Sequence, residues 1–151
     1  MICIQTGPLT PGDLLDVFSR GRETTGAVAS FTGLARGGGP GQPRIDRLVL
    51  DAYPGFTETV MQAIEAEALT RFAIQDVLAV HRWGPLAVGE PIVFVAVAAS
   101  HRRAAFEAVD FLMDQFKTRA PFWKKEEGPD GARWVEPRDQ DYADLARWET
   151  P

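Results

Sequence analysis

The chain has 151 residues, a formal net charge of −5, two histidines and one cysteine. A lone cysteine excludes an internal disulfide, and Cys3, His81 and His101 have no zinc-type spacing, so neither a metal nor a cofactor is expected. The acidic balance argues against a general nucleic-acid binder. No apolar run approaches the ~18 residues of a membrane span, and the opening MICIQTGPLTPGD lacks the basic and apolar regions of a signal peptide. The expectation is one cytoplasmic domain over residues 1–151, bound neither to membrane nor to nucleic acid.

In chain order, MICIQT reads as a first strand. LTPGDLLDVFSRG reads as a helix: Thr10 can cap it, Pro11 suits its first turn, Asp13 completes a pattern like a capping box, and Gly21 ends it. GAVASFTG (26–33) is strand-like. ARGGGPGQPR (35–44) reads as a flexible loop in which nothing packs. IDRLVLDAY (45–53) alternates as a strand. PGFTETVMQAIEAEALTRF opens a long helix capped by Thr57, with Val60, Met61, Ile64, Ala68 and Phe72 on one face. DVLAVHRWG (76–84) and PIVFVAVAAS (91–100) are strands joined by the turn PLAVGE; the second is almost wholly apolar and hence central. AAFEAVDFLMDQF (104–116) is a helix with the stripe Val109, Leu112, Met113 and Phe116, and Pro121 cannot continue it. ARWVE (132–136) is a short strand and DQDYADLARW a closing helix. The order β-α-β-β-α-β-β-α-β-α predicts an α+β fold with helices packed on one face of a mainly antiparallel sheet.

The usual nucleotide-binding and nucleophile-elbow motifs are absent. Cys3, in a strand, reads as a structural thiol. GGGPG resembles a phosphate cradle only loosely and reads more simply as a loop. SHRRAAFE carries more information. With Ser100 as N-cap, His101, Arg102 and Arg103 fall in the first turn, where each cation opposes the helix dipole by ~0.3–1 kcal/mol. Free N–H groups, the dipole and guanidinium groups together suit a phosphate or carboxylate. The alternative is that these side chains reach outward to surface carboxylates; it stands level for His101 and Arg102 and is preferred for Arg103. His81, mid-strand, reads as a core or edge histidine with a local hydrogen bond.

FKTRAPFWKKEEGPDG (116–131) gathers Lys117, Arg119, Lys124 and Lys125 into nine residues. A solvated basic loop is the plain reading. Against it, Phe122 and Trp123 can anchor the segment. A partly desolvated lysine among other cations has a lowered pKa and serves as base or nucleophile.

MDQFKTRAPFWKKE, together with SHRRAAFEA, HRWGPLAVGE, LDAYPGFTE and GAVASFTGLAR, resembles the catalytic (large) subunit family of molybdopterin synthase, from about Gly26 to Glu136 and in family order. KTRAPFWKKE is its most specific stretch. The resemblance implies an α+β fold with an antiparallel sheet. It implies a sulfurtransferase that installs two sulfurs on cyclic pyranopterin monophosphate, making the molybdopterin dithiolene, without metal. The sulfur comes as a thiocarboxylate on the C-terminal Gly-Gly tail of a small ubiquitin-like carrier subunit. The family forms a homodimer with a carrier at each end, a heterotetramer. Lys117 and Lys124 match its active-site lysines. Arg36, His101 and Arg102 match its anion and pterin contacts, Leu34 and Ala35 the backbone beside the arginine, and Lys125 and Glu126 the residues after the second lysine. Arg138 resembles an arginine offered across the dimer. GGGPGQP after Arg36 departs from the polar residues common there in the family.

Two other classes remain open from the residues themselves. A ferredoxin-like RNA-binding module would stack bases on Phe122 and Trp123 beside Arg119, although no aromatic RNP-type strand is present. A non-catalytic metabolite-binding subunit would use the same anion site.

Overall fold

The structure is a computed structural model that describes residues 1–149. Its elements are β1 (Ile2–Gln5), α1 (Pro11–Ser19), β2 (Ala27–Leu34), β3 (Arg47–Ala52), α2 (Phe56–Arg71), β4 (Ile74–Arg82), β5 (Gly84–Ala87), β6 (Pro91–Ala99), α3 (Arg102–Arg119), β7 (Phe122–Gly128), β8 (Gly131–Val135) and α4 (Asp139–Ala146). The class is α+β and mainly antiparallel, as expected. The strands form two four-stranded sheets, ordered β1-β4-β6-β2 and β5-β3-β7-β8.

In the first sheet only β1 and β4 run parallel. β6 is buried from Val93 to Ala99, so both its faces need cover. Alternation sorts them. Val93, Val95, Val97 and Ala99 join Val77 and Ala79 beneath Met61, Ile64, Val109, Leu112 and Phe116 of α2 and α3. Phe94, Ala96 and Ala98 join Leu78 and Val80 on the other face, closed by Leu9 and by Phe18 of α1. The two long helices therefore share one face, and the short α1 covers part of the other.

Two strands of the second sheet escape the sequence pattern. β5 occupies the PLAVGE turn: Gly84, at φ +90°, lets the chain leave β4, and Leu86 is fully buried against β3. β7 is the basic segment itself, paired with β3 from Ala52↔Phe122 to Arg47↔Glu127. The run Lys124-Lys125-Glu126-Glu127 puts charge on both faces and leaves it no hydrophobic period.

Helix starts differ from expectation at two points. Thr10 precedes α1 without a side-chain cap bond. Thr57 lies inside α2, fully buried; its hydroxyl accepts the Tyr53 amide (3.0 Å) and donates to the Pro121 carbonyl (3.2 Å). It thus ties the start of α2 to the end of α3, while Glu58 accepts the Gly55 amide at 2.9 Å.

Candidate functional site

The last turn of α3 and the strand after it collect the cations, and each cation has its own carboxylate. Lys117 Nζ lies 3.1 Å from Asp141 Oδ1 in α4, and Arg138 Nη2 lies 3.3 Å from the same oxygen. Asp141 Oδ2 accepts the Arg138 amide at 2.8 Å. The Asp141 side chain is 6% exposed. Burial pushes its carboxyl up, but the Arg138 amide and guanidinium and the Lys117 ammonium outweigh this and hold it below its ordinary value. Arg119 is taken by Glu67 (2.8 Å) and Gln115 (2.6 Å), which tie α3 to α2.

Beyond Pro121, Phe122 stacks on His81 with centroids 3.9 Å apart, and Trp123 meets Tyr53 edge-on at 5.0 Å. Lys124 Nζ then lies 3.3 Å from Glu126 Oε1, and Arg133 Nη2 lies 2.7 Å from Glu126 Oε2. Burial of Glu126 raises its pKa, and Arg133 and Lys124 more than reverse the effect. Lys125 pairs with Glu127 at 2.9 Å and faces the Trp134 ring at 5.7 Å. In place of the expected crowding of like charges, each cation of the segment faces a carboxylate, and Asp141, Glu126 and Glu127 each hold a second cation as well.

His81 is the local histidine expected. Its Nδ1 donates to the Arg82 carbonyl at 2.8 Å, and desolvation lowers its pKa from 6.5 to about 4. The folded state therefore stays neutral where an unfolded chain binds a proton. Stability rises with pH between about 4 and 6.5, so on acidification it is lost across that window. Wild-type protein should lose about 1–2 kcal/mol from this group between pH 6.5 and 5. Urea titrations at the two pH values check this: His81→Asn, which keeps a donor but does not titrate, should lack that part of the loss.

Arg36 follows β2. Ala35 is buried among Leu48, Leu50 and Leu86. Its amide donates to the Glu90 carbonyl (2.8 Å), and its carbonyl accepts the Gly89 amide (2.7 Å). Leu34 is 57% exposed. Arg36 is exposed and makes no ion pair among the described residues. The glycine loop is not free, contrary to expectation. The Ile45 amide bonds the Gly37 carbonyl at 3.2 Å and the Gln42 amide the Gly39 carbonyl at 3.0 Å. Gly38 sits at φ +89° where a Cβ would meet the Pro43 oxygen at 2.7 Å, a close approach that glycine alone permits.

His101 is itself the N-cap of α3, in extended conformation, and the helix begins at Arg102, one residue later than Ser100 would set it. Both side chains are exposed and unpaired among the described residues. Arg103 reaches Glu107 at 3.5 Å, the outward reading.

These geometries settle what one chain can assemble. β2 pairs with β6 from Ala27↔Ala99 to Leu34↔Pro91. Arg36 and His101 therefore lie beyond opposite ends of a strand pair on the order of 25 Å long. Along α3, Arg102 and Lys117 are about 22 Å apart. The end of α3 is fixed by Phe122 on His81; His81 pairs with Val93, and Val93 with Gly33. Lys117, Lys124 and Arg36 thus share one end of the sheet, with His101 and Arg102 at the other. Within one chain, Arg36 does not meet His101 or Arg102.

The profile described as MoaE protein matches residues 4–119. A Caulobacter vibrioides molybdopterin synthase catalytic subunit is 54% identical over 99% of this chain and 97% of its own. The chain belongs to the MoaE family. The Escherichia coli molybdopterin synthase catalytic subunit is 46% identical over 84% of each chain. Among solved structures, a MoaE protein from Burkholderia ambifaria superposes with a TM-score of 0.81 at 42% identity, covering 100% of this chain and 99% of that one. A molybdopterin synthase from Staphylococcus aureus gives 0.80 at 30% identity, covering 87% and 94%.

In this MoaE chain the sequence reading missed Asp141, which joins Lys117 to Arg138 across α3 and α4. Only the spacing Arg138-x-x-Asp141, a helix start with a carboxylate in its first turn, hinted at it. The link to Lys124 was also hidden. Gly84, Leu50, Lys124 and Val135 form one rung across the second sheet, and Arg138 follows Val135 by three residues.

Proposed function

We propose that the chain is the sulfur-transferring catalytic subunit of a molybdopterin synthase, working in the cytoplasm with a small ubiquitin-like carrier. The carrier's C-terminal Gly-Gly thiocarboxylate supplies sulfur, and cyclic pyranopterin monophosphate receives it to become the dithiolene. One observation carries this reading. Lys117 and Lys124 each share a largely buried carboxylate with an arginine: Asp141 also holds Arg138, and Glu126 also holds Arg133. Stripping the only partner from a buried charge is costly. Here either lysine can turn to an arriving anion and leave its carboxylate paired. The lysines are thereby aimed, yet released at small cost.

Lys117, at the end of α3, meets the thiocarboxylate. Lys124, on β7, faces the pterin and stabilises charge that develops as sulfur leaves the acyl group. Among the described residues Arg36 has no competing carboxylate, so its guanidinium is available to the phosphate. Lys125 stays with Glu127 and orders β7.

The remaining anion contacts, His101 and Arg102, come from a second copy. β2 is an edge strand, and it exposes Phe31 (42%) and Leu34 on that edge; unprotected edges pair. Antiparallel pairing of β2 with itself sets the Arg36 end of one copy beside the His101 end of the other and closes with two-fold symmetry. The homodimer then holds two composite sites, and a carrier at each gives a heterotetramer.

A single-turnover assay with thiocarboxylated carrier tests the function. Conversion of the pyranopterin to a dithiolene supports it; tight binding without sulfur transfer would leave a metabolite-binding subunit instead. Arg102→Glu should weaken pyranopterin phosphate binding by at least about tenfold, the scale of reversing one charge-assisted contact. The melting temperature should be unchanged, because Arg102 is exposed and pairs with nothing described. Unaltered affinity in a titration removes Arg102 from the site.

A further inference from the structure

We propose that the ion pair between buried Arg82 and part-exposed Glu90 is a positioning device for Arg36; this rests on the reading of Arg36 as a substrate-anion contact. HRWGPLAVGE contains no group assigned to the chemistry, yet it encloses a charge that the fold does not need for packing. Arg82 ends β4, on the face of Leu78 and Val80. Its side chain is 7% exposed, and its Nε has no hydrogen-bond partner among the described residues. The carboxylate it meets is Glu90, with Nη1 3.2 Å from Oε2. Burying the Arg82 guanidinium costs desolvation that a carboxylate 40% exposed to water only partly offsets, and an apolar side chain of similar volume commonly serves stability at least as well. The charge calls for another account.

Glu90 supplies one. The oxygen that faces Arg82 also accepts the Ala87 amide at 2.8 Å, which closes the turn between β5 and β6. The Glu90 carbonyl accepts the Ala35 amide, and the neighbouring Gly89 amide donates to the Ala35 carbonyl. On the far side of Arg36, a Cβ on Gly37 would stand 3.0 Å from a Val88 methyl, so the same turn abuts that residue closely. The turn therefore grips the residues before and after Arg36 and leaves its side chain unpaired. Arg82 anchors that grip to the central sheet through Glu90. Without the pair the turn loses its tether, and Arg36 is presented over a spread of directions.

A double-mutant cycle on the full chain with its carrier tests this. Glu90→Gln keeps an acceptor for Ala87 and removes the charge that Arg82 faces. It should raise KM for the pyranopterin about tenfold and leave kcat within about twofold, the pattern of lost ground-state positioning. Arg82→Met should reproduce the effect, and Arg82→Lys should recover most of it. In an Arg36→Ala background Glu90→Gln should add nothing. Hydrogen exchange supplies a readout that needs no substrate: in Glu90→Gln the Ala35 and Gly89 amides should exchange at least about tenfold faster, while those of Val95 and Val97 do not. Additive effects in the cycle, or unchanged exchange at Ala35, would overturn the inference. If Arg36→Ala raises KM but Glu90→Gln does not, the inference alone falls. A wild-type KM in Arg36→Ala would overturn the assignment of Arg36 and this inference together.

Discussion

Lys117→Ala is expected to lower single-turnover sulfur transfer by at least about 10²-fold, the scale of losing one electrostatic or acid–base group. Stability should fall by less than about 1 kcal/mol, because the lysine is half exposed and its partner keeps other bonds. Asp141 retains the Arg138 guanidinium and amide after the substitution. Lys124→Ala should behave alike, since Glu126 retains Arg133. Arg119→Ala is the contrast. It ties α3 to Glu67 of α2 and bonds Gln115 one turn back, so its loss should show in the melting temperature more than in the rate. Sulfur transfer by Lys117→Ala at the wild-type single-turnover rate would return the segment to a solvated basic strand and end the catalytic assignment.

The elements legible in the sequence were those whose burial has one period. α3 showed Val109, Leu112 and Phe116 at helical spacing, and all three are buried. β6 showed a nearly unbroken apolar run and proved central. What stayed hidden has no such period. β7 carries two lysines and then two glutamates, one of each on either face, so nothing in FWKKEEG separates a core face from a solvent face. Its strand form comes from hydrogen bonds to β3, a partner some seventy residues earlier in the chain. β5 looked like a turn because Gly84 and Pro85 are turn residues, but Leu86 is buried in a cluster with Ala35, Leu48 and Leu50.

The site divides in the same way. KTRAPFWKKE named Lys117 and Lys124 through a resemblance, and local charge logic asked only why cations should cluster. The reply is spatial: Asp141 and Glu126 come from α4 and from the same strand, and each is shared with an arginine. Register was equally invisible. Arg36 and His101 each flank a strand, and only the antiparallel pairing of β2 with β6 reveals that they flank opposite ends.

That separation leads to the second large effect. Arg36→Ala and Arg102→Ala should each lose about tenfold or more of the sulfur-transfer rate at subsaturating pyranopterin as homodimers, for every site then lacks one anion contact. Mixed in equal amounts and allowed to exchange subunits, they should recover about one quarter of wild-type activity, because half the dimers are mixed and each mixed dimer has one of its two sites intact. The logic needs Arg36 and Arg102 in one site to come from different chains; were both from one chain, mixing would restore nothing. Phe31→Asp supplies the control. A charge on the exposed edge of β2 opposes strand pairing, so variants carrying it should sediment as monomers and should not complement. Activity in the mixture that stays at the level of the separate variants, with exchange confirmed by tagged subunits, would place the two arginines in different sites and overturn the composite arrangement.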